Sequence, residues 1–301
     1  MDLSIIIVNW NTSELLLQCL DSIYRAKPQI MFEIIVIDNG STDNSVGAIS
    51  TRFPEVRIIS NDHNMGFAGA NNQGLSAGSA RYYLLLNSDT LVLPGALDVL
   101  INIADNHPEM GIVGPKLLNM DGSLQESYAS FPTFWSELIG KNFRRRRPLA
   151  DSTYIYDVDW IMGACMLVRS EVVADVGMLD DDYFMYSEEV DWCFRIKRQG
   201  WKVGYCLKSE VYHLGGGSAS RASLSQLILL YRSKILFFRK HYGNHQATLM
   251  RYGFALANTV GMVRRVFSMG KKDGINLRQR IAVQSTLVLC LLRNQYPEMN
   301  S

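Results

Sequence analysis

Leu3–Val8 is an unbroken apolar stretch, rich in β-branched residues at Ile5-Ile6-Ile7-Val8, and it reads as a buried parallel strand. Asn9-Trp10-Asn11-Thr12 breaks it. Leu16, Leu20 and Ile23 then recur at helical spacing behind Ser13, a candidate cap. The alternation repeats. Ile34–Ile37 is a second strand, ending in Asp38-Asn39-Gly40-Ser41-Thr42-Asp43, with a helix from about Asn44. Val56–Ile59 is a third, ending in Asn61-Asp62-His63-Asn64-Met65-Gly66, with a small-residue helix over Phe67–Ser76. Tyr82–Leu86 is a fourth and runs into Asn87-Ser88-Asp89. Strand and helix alternating in this way predict an α/β fold with a parallel sheet covered by helices. Ligands of such sheets bind beyond the carboxyl ends of the strands, so the polar clusters outline one site.

Beyond Leu93 the pattern is less regular. Pro94 suits the start of a helix reaching about Asn106. Gly111–Leu118 and Ser123–Tyr128 read as strands joined by Asp121-Gly122. Phe131–Asp157 lacks periodicity, contains Arg144-Arg145-Arg146-Arg147-Pro148, and reads as a long functional loop. Trp160–Arg169 is a strand interrupted at Gly163, and Ser187 is placed to cap a helix running to about Gln199. Lys202–Cys206 and Glu210–His213 read as two short strands before the loop Gly215-Gly216-Gly217-Ser218. From about Ala222 the pattern is helical.

Composition adds compartment and charge. With 48% hydrophobic and 20% charged residues in 301, the chain builds a real core, which excludes disordered, collagen-like and low-complexity proteins. Five scattered cysteines with no CxxC pair suit free thiols in a reducing compartment. The first residues lead straight into a strand without a basic, apolar leader, so a cytoplasmic location is expected. The net charge of +1 conceals an asymmetry: residues 222–301 carry 12 Lys/Arg against 2 Asp/Glu. Tyr252–Val263 and Ile281–Leu292 are uncharged segments too short to span a bilayer and flanked by basic residues. They suit either a peripheral contact with an anionic membrane face or a helical hairpin packed on protein.

Some clusters carry candidate chemistry. A carboxylate at a strand end, as at Asp89, can share Mg²⁺ or Mn²⁺ with substrate phosphates, although Asn87-Ser88-Asp89 is also ordinary turn chemistry. Asp38 suits hydrogen bonds to a base or ribose, or an Asx-turn over Asp38–Thr42. His213 follows the last strand and can complete a metal site with Asp89. Asp180–Asp191 holds six carboxylates among aromatic residues. It reads as a well-capped helix start or as a walled site for a general base. Neither GxGxxG nor GxxxxGK[ST] occurs, which argues against a dinucleotide site and a P-loop.

Taken together, Ser4–Asn11 (SIIIVNWN), Val36–Asp43 (VIDNGSTD), Asn64–Gly74 (NMGFAGANNQG), Leu86–Asp89 (LNSD), Glu188–Arg195 (EEVDWCFR) and His213–Ser218 (HLGGGS) resemble the inverting GT-A glycosyltransferases of family 2, most closely their bacterial rhamnosyltransferase-like members. The resemblance covers roughly residues 1–221. It implies a GT-A fold, Rossmann-like with a mostly parallel central sheet, in which residues 1–93 form the nucleotide-sugar half and 94–221 the acceptor and base half. A basic helical region, 222–301, follows. By this resemblance Asn9, Asn11 and Asp38 line the base and ribose pocket, and Asn64, Gly66 and Asn71 lie near the ribose or diphosphate. Asn87, Ser88 and Asp89 correspond to the metal motif, with Mg²⁺ or Mn²⁺ on Asp89 and His213. Glu189 matches the catalytic base. Glu188-Glu189 stands where most relatives have Glu-Asp, which leaves Glu188 and Asp191 as alternatives.

The implied reaction is metal-dependent transfer of a sugar, rhamnose from dTDP-rhamnose in the first place, to a lipid-linked or polysaccharide acceptor in cell-surface glycan synthesis. UDP-hexoses and UDP-galactofuranose are other donors to be tested. The expected partners are that donor, that acceptor and the inner face of the cytoplasmic membrane through 222–301. No nucleic acid is expected, and a homodimer is left open. Two other readings compete: a nucleotidyltransferase acting on a sugar phosphate, disfavoured by the lack of Gly and basic residues in Asn9–Thr12, and a non-catalytic relative that binds a glycan or partner.

Overall fold

The computed structural model describes residues 1–139, 146–148, 154–215, 223–268 and 274–295. In the first half, strands and helices alternate as β1 (Leu3–Asn9), α1 (Ser13–Ala26), β2 (Phe32–Asp38), α2 (Ser45–Arg52), β3 (Arg57–Ser60), α3 (Gly66–Ala77) and β4 (Tyr82–Asn87). β3, β2, β1 and β4 lie side by side in parallel, in that order. Successive side chains of a strand face opposite sides. Ile5 and Ile7 therefore pack with Leu16, Leu20 and Ile23 of α1, while Ile6 packs on the other face with Ala68, Ala70 and Leu75 of α3. The small residues of α3 let it lie close to the sheet: a Cβ on Gly74 would sit 2.3 Å from Ile6 Cγ2.

The second half completes the sheet with β5 (Thr90–Val92), α4 (Ala96–Asn106), β6 (Met110–Leu118), β7 (Leu124–Gln125), β8 (Tyr128–Ala129), α5 (Phe134–Ile139), β9 (Arg146–Pro148), β10 (Ile155–Val158), β11 (Trp160–Ile161), β12 (Cys165–Arg169), α6 (Ser170–Val176), α7 (Glu188–Arg198) and β13 (Lys202–His213). β12 inserts antiparallel between β4 and β6, and β13 runs parallel to β6. The sheet order is β3-β2-β1-β4-β12-β6-β13-β10-β9.

Several sequence expectations change here. Phe131–Asp157 is not one loop: it contains α5, β9 and most of β10. Ser123–Tyr128 divides, because β7 pairs with β6 while β8 pairs with β11 in a separate small sheet. Trp160–Arg169 divides likewise into β11 and β12 around Gly163. The two short strands after Lys202 are one, with an irregularity in its pairing between Cys206 and Glu210. Ser13 is the first residue of α1 and Thr12 precedes it as cap. Ser187 does precede α7, but in the left-handed region (φ 67°) and without a side-chain cap bond.

α8 (Leu224–Tyr242), α9 (Asn244–Ser268) and α10 (Gly274–Arg293) follow. Ser223 starts α8 with a reciprocal capping box, its Oγ accepting from Gln226 N and its own N–H donating to Gln226 Oε1. The packing continues across the change in charge at residue 222. Phe237 and Phe238 of α8 share a core with Tyr183 and Val190, and Phe194 packs edge-on against Phe237. Lys234 pairs with Glu137 of α5 at 2.6 Å. Among the described residues, no helix is long and apolar enough to cross a membrane.

Candidate active site

The carboxyl ends of β1, β2 and β4 converge, and their polar residues first satisfy one another. Asn9, fully buried, donates from Nδ2 to Asp38 Oδ1 at 3.0 Å and to Ser41 Oγ at 3.1 Å. Asp38 Oδ2 accepts from Ser41 N, which closes the Asx-turn. Asn11, at φ 54°, accepts at Oδ1 from the amides of Thr42 and Asp43. Asn71 is buried on α3, with its Nδ2 on Phe67 O. Of the expected nucleotide contacts, Asn9, Asn11 and Asp38 thus tie the ends of β1 and β2 to the Ser41–Asp43 turn, while Asn71 bonds within α3.

Above them opens a cleft of about 230 Å³, lined by Trp10, Thr12, Asn39, Asn64, Gly66, Phe67, Asn87, Ser88, Asp89 and Met185, with Val8 and Leu15. Asn64, Gly66, Asn87, Ser88 and Asp89 are the expected residues that face it. The sequence reading did not single out Trp10, Thr12, Asn39, Phe67 or Met185. Asn39 is buried and ties the wall together: Nδ2 donates to Asn64 Oδ1 at 2.7 Å and Gly66 O at 3.2 Å, and Oδ1 accepts from Met65 N at 3.0 Å. Gly66 has φ +77°, and a Cβ there would sit 2.4 Å from Phe184 O, which accepts from Phe67 N. Only glycine fits both demands.

At one end of the cleft Asp89 meets His213. The short strand β5 follows directly on Asp89 and pairs antiparallel with the last residues of β13, setting His213 opposite Thr90. Asp89 Oδ1 is 3.3 Å from His213 Nε2, and Asn87 Nδ2 is 3.4 Å from the same nitrogen. The far ring nitrogen, Nδ1, lies 2.7 Å from Gln125 Oε1. Gln125 is oriented by its own Nε2, which donates to Asn119 Oδ1 and to His213 O. Nδ1 therefore carries the proton, and in the neutral ring Nε2 turns its lone pair toward Asp89.

This arrangement fits a divalent cation. His213 Nε2 and the Asp89 carboxylate face each other, and the buried Oδ1 of Asn87 has no hydrogen-bond partner. Gly215 passes so close that a Cβ would lie 2.5 Å from Asp89 Oδ2 and 3.1 Å from His213 Nε2. Among the described residues no three His, Cys, Asp or Glu form a ligand cluster. Two protein ligands suffice for a hard cation that takes its other oxygens from phosphate and water. Gln125 gave no signal in the sequence, since it stands 88 positions before His213.

The acidic stretch resolves into different tasks. Tyr186 and Ser187 both have positive φ, a corner that turns Glu188 and Glu189 in at the start of α7. Each leaves its Oε2 buried without a partner. Burial raises both carboxyls: Glu188 well above its ordinary range, with the charge of Glu189 adding to the effect, and Glu189 to about 7. Amides at the helix start oppose the shift on Glu189, but desolvation wins. Gly163 leaves the space between Glu189 and the cleft residue Phe67, since its Cβ would lie 3.6 Å from Glu189 Cβ and 3.5 Å from Phe67 Cε1.

Asp191 differs from these two. It is buried, yet His241 Nε2 is 2.6 Å from Oδ1 and Arg195 Nε donates to Oδ2 at 2.7 Å. Burial pushes its carboxyl up, and the bonds from His241 and Arg195 outweigh this and hold it below the usual range. Of the other expected elements, Arg144 and Arg145 lie outside the described residues, as do Gly216, Gly217 and Ser218, and only the backbone of Arg146 and Arg147 is described.

Comparison with known proteins agrees with this geometry. Residues 4–177 match the family described as Glycosyl transferase family 2. The chain is 30% identical to the N-acetylglucosaminyl-diphospho-decaprenol L-rhamnosyltransferase of Mycobacterium tuberculosis, over 81% of this chain and 87% of that protein. It is 26% identical to the low-salt glycan biosynthesis hexosyltransferase Agl10 of Haloferax volcanii, over 78% of this chain and 75% of that one. Among solved structures, the mannosyltransferase PcManGT from Pyrobaculum calidifontis, in complex with GDP-Man and Mn²⁺, shares the fold with a TM-score of 0.61. That match covers 99% of this chain and 88% of the other at 16% identity. The nucleotidyltransferase and non-catalytic readings are thereby set aside. With its mostly parallel sheet, its cleft at the strand ends and this sequence kinship, the chain belongs to glycosyl transferase family 2 and is a glycosyltransferase of the GT-A fold.

Proposed function

We propose that this glycosyltransferase moves a sugar from a nucleotide donor to a lipid-linked glycan acceptor with inversion, using Mg²⁺ or Mn²⁺ held by Asp89 and His213. The observation that carries this reading is the facing pair of Asp89 Oδ1 and His213 Nε2 at the end of the cleft, with Gln125 behind the ring and Gly215 above it. Rhamnose from dTDP-rhamnose is the donor of choice, supported by the relative's name and by the motifs. The same name supports a diphosphate-bearing lipid acceptor.

In this mechanism the nucleoside diphosphate lies in the cleft between Trp10 and the Asn39–Asn64–Gly66 wall. Asp89 and His213 would hold the cation, which would supply positive charge to offset that growing on the departing diphosphate. Glu189, next to Phe67 and Gly163, takes the proton from the acceptor hydroxyl as it attacks the anomeric carbon. Its raised pKa suits a base working near neutral pH. Burial and the neighbouring Glu189 raise Glu188 well above the ordinary range, which disfavours a second negative charge beside the base. Asp191 anchors α7 and does not move protons. One displacement inverts the anomeric centre.

The test is calorimetric titration of dTDP, UDP and GDP, each with and without Mn²⁺, into wild type and Asp89→Ala. Binding of dTDP that needs Mn²⁺ and disappears in the variant is expected. Selective UDP or GDP binding would replace the donor, and binding indifferent to Mn²⁺ would sink the metal role.

A further inference from the structure

Away from the donor cleft, a concavity of about 720 Å³ lies between α8, α9 and the segment leading into α7. This is the size of a small-molecule site. Its charge is one-sided. Arg232 and Arg239 stand two turns apart on one face of α8, and Asn244, Thr248 and Arg251 line the wall from α9. The one acid among the described lining residues, Asp182, is already paired with Lys240 at 2.7 Å. Neither Arg232 nor Arg239 makes an ion pair among the described residues, and Arg251 Nε is buried without an acceptor. Three guanidinium groups around one hollow repel each other, and a buried unpaired donor is costly. An anion with several oxygens removes both penalties, and arginine forks suit phosphate oxygens.

Two further features say what kind of anion. The first is apolar surface at the rim. The Arg251 guanidinium lies 5.0 Å from the Tyr252 ring centroid. Tyr252 belongs to an exposed stripe on α9 with Leu249, Leu256, Val260 and Val263, of which Leu256 is 65% exposed. A charged head in the hollow therefore has a path for a hydrocarbon chain beside it. The second is proximity to the chemistry. Asp182 lines the hollow, and Met185, three residues on, lines the donor cleft. Ser233, the neighbour of Arg232, donates from Oγ to Met185 O at 2.7 Å. One short segment is thus a wall of both sites, and it leads directly to Glu188 and Glu189.

We infer that this hollow holds the diphosphate of a lipid-diphosphate acceptor, with its chain along the α9 stripe and its sugar toward the donor cleft. A bilayer phospholipid offers similar charge, but nothing requires such a headgroup to share a wall with the donor site. The inference rests on the acceptor class proposed above and locates its head on Arg232, Arg239 and Arg251.

The experiment uses the full chain, saturated with the nucleoside diphosphate that the titration above selects, so that the donor cleft is filled. Farnesyl diphosphate is then titrated into wild type and into Arg232→Gln combined with Arg251→Gln. Farnesol, inorganic diphosphate and phosphatidylglycerol vesicles serve as separate probes. The expected result is wild-type binding of farnesyl diphosphate, weakened about tenfold or more in the double variant, with nucleotide binding unchanged. Equal affinity in both proteins, or no binding to wild type, overturns the assignment. Vesicle binding that depends on the two arginines while farnesyl diphosphate is ignored overturns it in favour of a bilayer headgroup. The nucleotide arm reads the donor proposal separately: its absence in wild type overturns that reading, whereas loss of farnesyl diphosphate alone strikes only the hollow.

Discussion

Single residues in this protein are decided by what surrounds them more than by their type. Glu188, Glu189 and Asp191 lie within four positions of one another, yet burial raises the first two and His241 and Arg195 lower the third. Glu189→Gln is expected to reduce transfer by a factor of about 10² to 10⁴ with metal-dependent nucleotide binding intact. With Glu189 as the base, kcat/KM of the wild type is expected to rise with pH and level above about 7, as measured in a pH–rate profile. Stability moves the other way. The folded chain keeps the Glu189 proton that the unfolded chain releases near 4.5, so stability present below that value is lost up to about pH 7. Thermal scans across this range should show a shallower decline in Glu189→Gln. Gln125→Leu should weaken Mn²⁺ affinity about 10- to 100-fold, read by the Mn²⁺ paramagnetic signal, while Gln125→Glu keeps an acceptor for Nδ1 and preserves most of it. That Asn87-Ser88-Asp89 and His213 stand at strand ends was legible in the sequence. Which polar strand ends line the cleft and which bond one another was not: Asn87, Ser88 and Asp89 line it, whereas Asn9 donates to Asp38.

The segments differ in how plainly they declare themselves. β1, β2 and β4 are buried on both faces, so their apolar runs mark them within a residue or two, and the helices between them follow. Past β5 the sheet mixes directions, and pairs as short as Trp160–Ile161 with Tyr128–Ala129 carry no period to read. Their partners, not their composition, make them strands. α7 shows the same dependence. Its amphipathic pattern was readable, but its attachment to α8 was not, since His241 lies 50 positions beyond Asp191. Arg195 adds bonds to the carbonyls of Val176 and Met178, which clamp α7 to the end of α6. Asp191→Asn removes the shared acceptor charge and leaves Arg195 half-paired. A loss of about 3 to 5 kcal/mol is expected in calorimetric unfolding. Because the Asp191 carboxyl is held low, its contribution persists through neutral pH and is lost only as acid protonates it.

As a whole the molecule is acidic up to residue 221 and basic beyond, and the sequence showed that division at once. It could not show that one hydrophobic core bridges the two parts. Phe131, Tyr183, Val190 and Phe194 are covered by α8, and Lys240 and His241 pair with Asp180 and Asp191. A chain ending at residue 221 should therefore aggregate or unfold at lower temperature than the full chain, which should melt in one transition by calorimetry. The pairing of β5 with the end of β13 has a further consequence, in the time course of synthesis. Asp89 and His213 are 124 residues apart and become neighbours only through that pairing. Translation delivers the chain from its amino end at about 5–20 residues per second. A nascent chain can thus complete β1 to β4 many seconds before it owns the histidine that answers Asp89. Until then the growing polypeptide has the parallel scaffold of its cleft but not the Asp89–His213 pair, which forms only with the last strand of the sheet.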